Sequence, residues 1–404
     1  MNRKESSYFN LKYGSLLSLY LAQSIPMSFF STVLPVILRE NGFSLTSIGL
    51  LQLVKIPWIL KFLWAPHVDA HSQNLRDYKK WIIRSEIFYA IIIFSIAFLN
   101  LQTHFGLIII LLVVAFTASA TQDIATDAFA YYILLKKERS LGSSVQTAGN
   151  FLGALIGSGV LLIIYDYMGW KILILALGIF VLLALIPLKK YQPEKQKISI
   201  KEHVQLIDLI LFFKQPKIFY RILILLTFYW SIIGILSMLK PWMVDMNYSI
   251  QQIGIFSGLY GPLSGFFMAL ITGRIIKKIG LSKSLKLILI LATINTLYFY
   301  LIKTYFHTYI FLQIGILLVW GIYSMMTVFI YTFIMDRIRK GKAGTDFTLQ
   351  IVLAHIGSLI MAVSSGKIAH SLGYGRLFIL EFCLAIISLI LIPYLYKKTL
   401  KYEI

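Results

Sequence analysis

A chain of 404 residues that is 58% hydrophobic and only 14% charged is no water-soluble globule, and no long polar stretch remains for an extramembrane domain. Its net charge of +21 sits in the short gaps between apolar runs, where it orients a membrane protein; no nucleic-acid partner is implied. The single cysteine, Cys383, lies in an apolar run, so neither a disulfide framework nor a thiolate metal site is available, and no cofactor is expected.

Apolar runs of about 20 residues, the length that crosses a ~30 Å hydrocarbon layer, recur along the whole chain. Twelve spans are expected, near 11–38, 46–66, 81–101, 105–134, 141–165, 170–188, 219–244, 250–276, 282–303, 308–337, 343–370 and 375–396. The first is too long for a signal-peptide core and lacks a small-residue cleavage site, so it stays as a helix. The gaps after the even-numbered spans 2 to 10 are rich in Lys and Arg, as in Arg76-Asp77-Tyr78-Lys79-Lys80, Lys136-Lys137-Glu138-Arg139 and Arg337-Ile338-Arg339-Lys340-Gly341-Lys342. The opposite gaps carry almost no positive charge. Both termini, with Arg3-Lys4 and Lys397-Lys398, are therefore expected in the cytoplasm.

Span 2 places Lys55 almost at its centre, followed by Trp58 and Lys61, and ends near Asp69. A mid-membrane lysine with no carboxylate one turn away needs a partner from another helix or an anionic substrate. Lys61, a turn nearer the cytoplasm, is expected to snorkel in a structural role. Asp69, and Arg274 in the equivalent loop of the second half, are expected to act at the gate by engaging a neighbouring helix end.

Span 4 contains Thr121-Gln122-Asp123-Ile124-Ala125-Thr126-Asp127. Its two carboxylates lie one turn apart on one helix face, with Gln122 and Thr126 as a second polar pair beside them. Charge in a bilayer costs at least ~2.5–3.5 kcal/mol, so this stripe must face a protein interior or a wet cavity. Asp123, the deeper acid, is a candidate for proton coupling as much as for a fixed salt bridge; Asp127 is a candidate for pairing with Lys or Arg at the interface. On span 5, Gly149, Gly153 and Gly157 share a face that lets another helix approach closely, with Gln146 and Asn150 beside it.

The chain is expected to divide into a bundle over 1–188, a cytoplasmic linker over 189–218 and a second bundle over 219–404. In the linker, the apolar spacing between Ile198 and Phe213 points to a helix lying on the membrane surface. The halves repeat. Pro35…Asn41…Ser44-Leu45…Ile48-Gly49 recurs as Pro241…Asn247…Ser249-Ile250…Ile253-Gly254, and Gln146…Gly153…Gly169 recurs at identical spacing as Gln350…Gly357…Gly373. Parallel six-helix repeats of this kind describe an all-α membrane protein of the major facilitator fold, with two six-helix bundles and alternating access to a midplane site.

In the second half, span 11 offers Asp346, Gln350 and His355, the last with an unperturbed pKa near ~6.5, and span 12 carries the acid Glu381. Trp58, Trp230, Tyr260 and Trp320 fall near mid-span and are candidates to stack on an aromatic ligand. Phosphate loops, His-Glu-x-x-His and Gly-x-Ser-x-Gly elbows are all missing, so an enzyme is not expected. A membrane acyltransferase ranks low because His355 and His67 have no convincing partners in the sequence.

Two motifs, Ile56-Pro57-Trp58-Ile59-Leu60-Lys61-Phe62-Leu63-Trp64-Ala65-Pro66-His67-Val68-Asp69 and Ala120-Thr121-Gln122-Asp123-Ile124-Ala125-Thr126-Asp127, resemble one branch of the major facilitator superfamily. That branch holds bacterial muropeptide permeases, acetyl-coenzyme A transporters and inner-membrane siderophore importers of the rhizobactin and pyochelin type. The stretch Ala343-Gly344-Thr345-Asp346-Phe347-Thr348-Leu349-Gln350, after Met335-Asp336-Arg337, looks most like the siderophore group. The family loop after span 2 usually carries a Gly-Arg-Arg-Arg cluster, replaced here by Arg76-Asp77-Tyr78-Lys79-Lys80, and Lys55 stands where relatives tend to have a small or apolar residue. The resemblance implies a proton-coupled importer of a siderophore or its ferric complex in the bacterial inner membrane. Muropeptide uptake is the alternative, with acetyl-coenzyme A less favoured. Lys55, Trp58, Gln122, Gln146, Asn150, Trp230, Tyr260, Trp320, Gln350 and His355 are the candidate substrate contacts. For proton coupling or gating the candidates are Asp69, Asp123, Asp127, Arg274, Asp346 and Glu381.

Overall fold

The computed structural model describes residues 3–192, 204–305 and 309–400. Among the described residues every regular element is helical, and a helical stretch overlies each of the twelve expected spans. Of the expected surface helix, residues 198–203 lie outside the described ones; from Val204 onward the helix Ile207–Phe213 is present.

Among the described residues, eight continuous helices are long and apolar enough to cross a membrane. Two of these, Lys136–Lys190 and Ala343–Leu400, each join a pair of spans through a glycine break. Gly169 (φ 71°) and Gly373 (φ 81°) hold the left-handed backbone there, a conformation that costs any residue with a side chain. They are the two positions paired by the sequence repeat, so the repeat is one of backbone geometry as well as of letters.

Span 2 departs from expectation. It is a relay of short pieces, Leu45–Leu50, Leu51–Lys55, Ile56–Leu60, Lys61–Leu63 and Ala65–Ala70, alternating α and 3₁₀ geometry. Pro57 and Pro66 cause this, since each lacks an N–H and crowds the preceding turn. Span 3 is a clean helix, Leu75–Ile96, started by Asn74, whose side chain accepts the N–H groups of Arg76 and Asp77 at 2.9 and 3.2 Å.

The chain divides into two compact units. One comprises Met1–Leu135, Gly149–Leu209 and Ile338–Thr348; the other comprises Lys136–Ala148, Ile210–Arg337 and Leu349–Ile404. These follow the two halves of the sequence except at the starts of spans 5 and 11, each of which groups with helices of the other half. Within the first unit the core gathers Phe29, Phe30, Tyr89 and Phe116, with the Phe30 and Phe116 rings edge-on at 5.9 Å. Within the second, Trp242, Phe299 and Phe378 pack mutually, the Trp242 and Phe378 centroids 5.0 Å apart.

Glycines set the closest helix approaches in both units. A Cβ on Gly153 would strike Ser24 of span 1 and stand 3.2 Å from the Ile25 nitrogen; a Cβ on Gly357 would strike the carbonyl of Leu226 at the start of span 7. These are equivalent contacts, span 5 on span 1 and span 11 on span 7.

Candidate functional site

Span 4 carries its polar stripe into the first unit, where its members meet spans 1 and 2. Asp123 is ion-paired with Lys61 of span 2, both side chains buried. Asp127 accepts a hydrogen bond from the Tyr20 hydroxyl of span 1 at 2.8 Å. Gln122 is hydrogen-bonded to Gln23, and the Thr121 hydroxyl accepts the Trp64 indole N–H at 3.1 Å. The Lys61 ammonium also lies 4.9 Å from the centre of a Trp58 ring, and the Ser24 hydroxyl donates to Asn150 at 2.8 Å. About two turns of span 4 thus fasten spans 1 and 2 through polar contacts.

This arrangement revises the expectation for Lys61 and locates Asp127 and Lys55. Lys61 does not snorkel; the broken geometry of span 2 turns it inward onto Asp123, and a buried pair satisfies both charges better than a stretched lysine could. Asp127 is buried and accepts the Tyr20 hydroxyl of span 1. Lys55 makes no ion pair among the described residues and is half-buried at the junction of a 3₁₀ turn and the helix Ile56–Leu60. Two partners escaped the sequence reading, Tyr20 and Gln23. Their signal was a polar pair three residues apart inside an apolar span.

At the basic end of the helices, Asp69 is buried and accepts four hydrogen bonds: from Gly344 N at 3.0 Å, Thr345 N at 2.7 Å, the Thr345 hydroxyl at 2.7 Å and the Tyr78 hydroxyl at 2.8 Å. A carboxylate at a helix start satisfies orphan amides and meets the positive end of the dipole. Burial raises the Asp69 pKa and the four donors pull it back, leaving it at about 6 against an ordinary 3.8. Asp346, also buried, accepts the Arg339 guanidinium in a forked contact of 2.6 to 3.0 Å and the Arg339 backbone N–H at 2.8 Å. Asp69 therefore holds the segment 338–348 to the rest of the first unit, and Asp346 braces that segment internally through Arg339.

The Major Facilitator Superfamily model matches residues 16–359. The chain belongs to that family. Over 396 residues it is 23% identical to the Escherichia coli (strain K12) anhydromuropeptide permease, covering 96% of this chain and 80% of that one. Over 405 residues it is 24% identical to the Rickettsia typhi "Putative transporter AmpG 2", covering 97% of each. A bacterial homologue of the iron transporter ferroportin, solved in its outward-facing state, superposes with a TM-score of 0.70 at 16% identity over 96% of this chain and 99% of that one. This last likeness is one of fold.

In this major facilitator chain the second unit holds the remaining candidates more dispersed. Trp230 donates its indole N–H to the Gly357 carbonyl at 3.0 Å, a tie between spans 7 and 11. Trp320 packs on Gly261, where no Cβ would fit. Tyr260 is exposed beside Phe256, with ring centres 6.0 Å apart. Gln146 and Gln350, paired by the repeat, are both buried in this unit, and His355 is exposed. Glu381 is fully enclosed, seated against Gly234 and close to Ser365. Arg274 is exposed and donates to the Leu270 carbonyl of its own helix at 3.0 Å; among the described residues it makes no contact equivalent to that of Asp69. In its place, Gly273 lies against Ser140 and Ser144 at the start of span 5, and Ser144 donates to the Ala269 carbonyl at 2.8 Å. Arg139 and Asp336 close the same face with an ion pair of 2.9 Å.

Proposed function

We propose that this major facilitator transporter carries a bulky, carboxylate-bearing cell-wall fragment of the muropeptide class across the bacterial inner membrane, coupled to protons and by alternating access. The observation that carries the reading is the end-to-end similarity to an anhydromuropeptide permease together with a mid-span lysine, Lys55, that has no counter-ion among the described residues. In a membrane interior a lysine is retained where it has a partner. Lys61 has Asp123; the partner for Lys55 is a carboxylate on the substrate, with Trp58 three residues on to cover an apolar face. Asp69 and Asp346 act at the gate on the basic, cytoplasmic side, and the Lys61–Asp123 pair holds the scaffold of the site.

The siderophore reading rested on the stretch Ala343–Gln350. Its residues Gly344, Thr345 and Asp346 are occupied by Asp69 and Arg339, so the resemblance there follows the architecture of a helix start and carries no preference for a substrate. The deciding experiment is deletion of the gene: muropeptide import predicts periplasmic accumulation of anhydro-muropeptides with unchanged growth on siderophore-bound iron. Loss of growth on a ferric siderophore with no muropeptide accumulation would overturn the proposal.

A further inference from the structure

The helix Ile207–Phe213 is amphipathic in a sense opposite to that of a soluble surface helix. Its inward side is Asp208 and Phe212, four residues apart and both buried, and Val204 just before the helix is buried as well. Its outward side is a row of exposed apolar residues, Ile207 at 48%, Ile210 at 57%, Leu211 at 40% and Phe213 at 44%, extended by Leu206 at 66% in the preceding turn. The acid is inside and the hydrocarbon outside.

Asp208 has a full set of inward partners. Its carboxylate accepts from Lys342 at 2.5 Å and from the Gln205 N–H at 2.9 Å, with Arg339 at 3.7 Å, and its carbonyl accepts from Arg339 at 2.9 Å. Burial opposes this charge, yet Lys342, Gln205 and Arg339 outweigh it and hold the carboxyl below its ordinary range. The same Arg339 forks onto Asp346, one residue beyond the Thr345 that Asp69 caps. The contacts are continuous from the linker helix, through the loop 338–342, to the start of span 11.

We propose that this helix is a strap seated in the lipid headgroup layer, its apolar row inserted among anionic phospholipids, and that Asp208 transmits the seat to the capped start of span 11. The occupant follows from chemistry. The row is too apolar for water, the elements at its two ends expose Lys214 and Lys340, and a basic rim beside an apolar face is how an interfacial helix holds an anionic leaflet. The helix also sits at the basic ends of membrane spans, where that leaflet lies. Lipid composition thereby sets how firmly the segment 338–348 is held.

The seat and its transmission are tested separately, and neither test depends on the identity of the substrate. In a Cys383→Ser background, spin labels at Ile210→Cys and Lys214→Cys are compared in full-length protein reconstituted into phosphatidylglycerol-containing and phosphatidylcholine-only vesicles. The Ile210 label is expected to collide several-fold more often with oxygen than with a water-soluble nickel chelate, and the Lys214 label the reverse. Nickel accessibility at Ile210 in both lipids would overturn the seat, as would dipolar broadening that shows a second copy covering it. Hydrogen exchange over 338–348 reads the transmission: protection is expected to rise with phosphatidylglycerol in the parent and to lose that rise in Asp208→Asn. An unchanged rise in Asp208→Asn, with the spin-label depth retained, would overturn the role of Asp208.

Discussion

Asp69 and Thr345 are 276 residues apart in the chain and doubly hydrogen-bonded, the carboxylate accepting both the backbone N–H and the hydroxyl of the threonine at 2.7 Å. A hydrogen bond to a charged group contributes about 1.5–3 kcal/mol, and a buried amide left without its acceptor costs a comparable amount. Asp69→Ala should therefore lower stability by about 2–4 kcal/mol and cut transport about tenfold or more, measured as unfolding temperature in detergent beside initial uptake rates. Thr345→Val, which keeps the backbone donor, should have about half that effect on stability.

The seat of Asp69 also makes a prediction about pH. With a pKa of about 6 in the folded protein against 3.8 for the free side chain, the folded state binds this proton more tightly than the unfolded chain. The contribution of Asp69 to stability is then greatest below about pH 4, falls as pH rises through 6 and is level above. Asp69→Asn should remove that component. The check is the difference in unfolding temperature between parent and variant from pH 4.5 to 7.5, expected to change between 4.5 and 6.5 and then flatten.

Lys61 and Asp123 form a buried pair, for which loss of one partner is costly and loss of both much less so. Lys61→Met or Asp123→Leu alone should destabilise by about 3–5 kcal/mol, and the double variant by clearly less than the sum. A double-mutant cycle on chemical unfolding in detergent measures this; additive losses would mean that the two side chains do not act as a pair.

Gly357 allows span 11 to touch the backbone of Leu226. Gly357→Ala places a methyl group against that carbonyl, and overpacking of this kind costs about 1–3 kcal/mol. Gly366→Ala on the same span, where the nearest atom to an added Cβ is the flexible Met238 methyl at 3.6 Å, should be nearly silent. Unfolding temperatures of the two variants make the comparison.

Much of this architecture could be read from the letters. Segment length and charge in the gaps located the spans, and the repeat paired Gly169 with Gly373, which the structure shows to share a left-handed backbone. The deviations have local causes. Pro57 and Pro66 break span 2, and the resulting rotation gives Asp123 to Lys61 while leaving Lys55 without an ion pair among the described residues; periodicity counts treat span 2 as one cylinder and cannot see that turn. Tyr20 and Gln23 were missed because a polar pair on one span does not say which residues of another helix it meets. Asp69 was expected to engage a helix end, and it does so at the start of span 11. Arg274, its counterpart in the repeat, points along its own helix, so the two halves do not use equivalent positions in equivalent ways.

Lys55 tests the account most directly, through uptake of a labelled anhydro-muropeptide into proteoliposomes bearing a proton gradient. The parent is expected to concentrate the solute, and excess ferric siderophore should not compete. Lys55→Gln is expected to raise the KM about tenfold, the equivalent of one lost charge-assisted contact of about 1.4 kcal/mol, with unfolding temperature unchanged, and Lys55→Arg should restore part of it. Uptake that is indifferent to Lys55→Gln, or that is abolished by a ferric siderophore, would contradict the account.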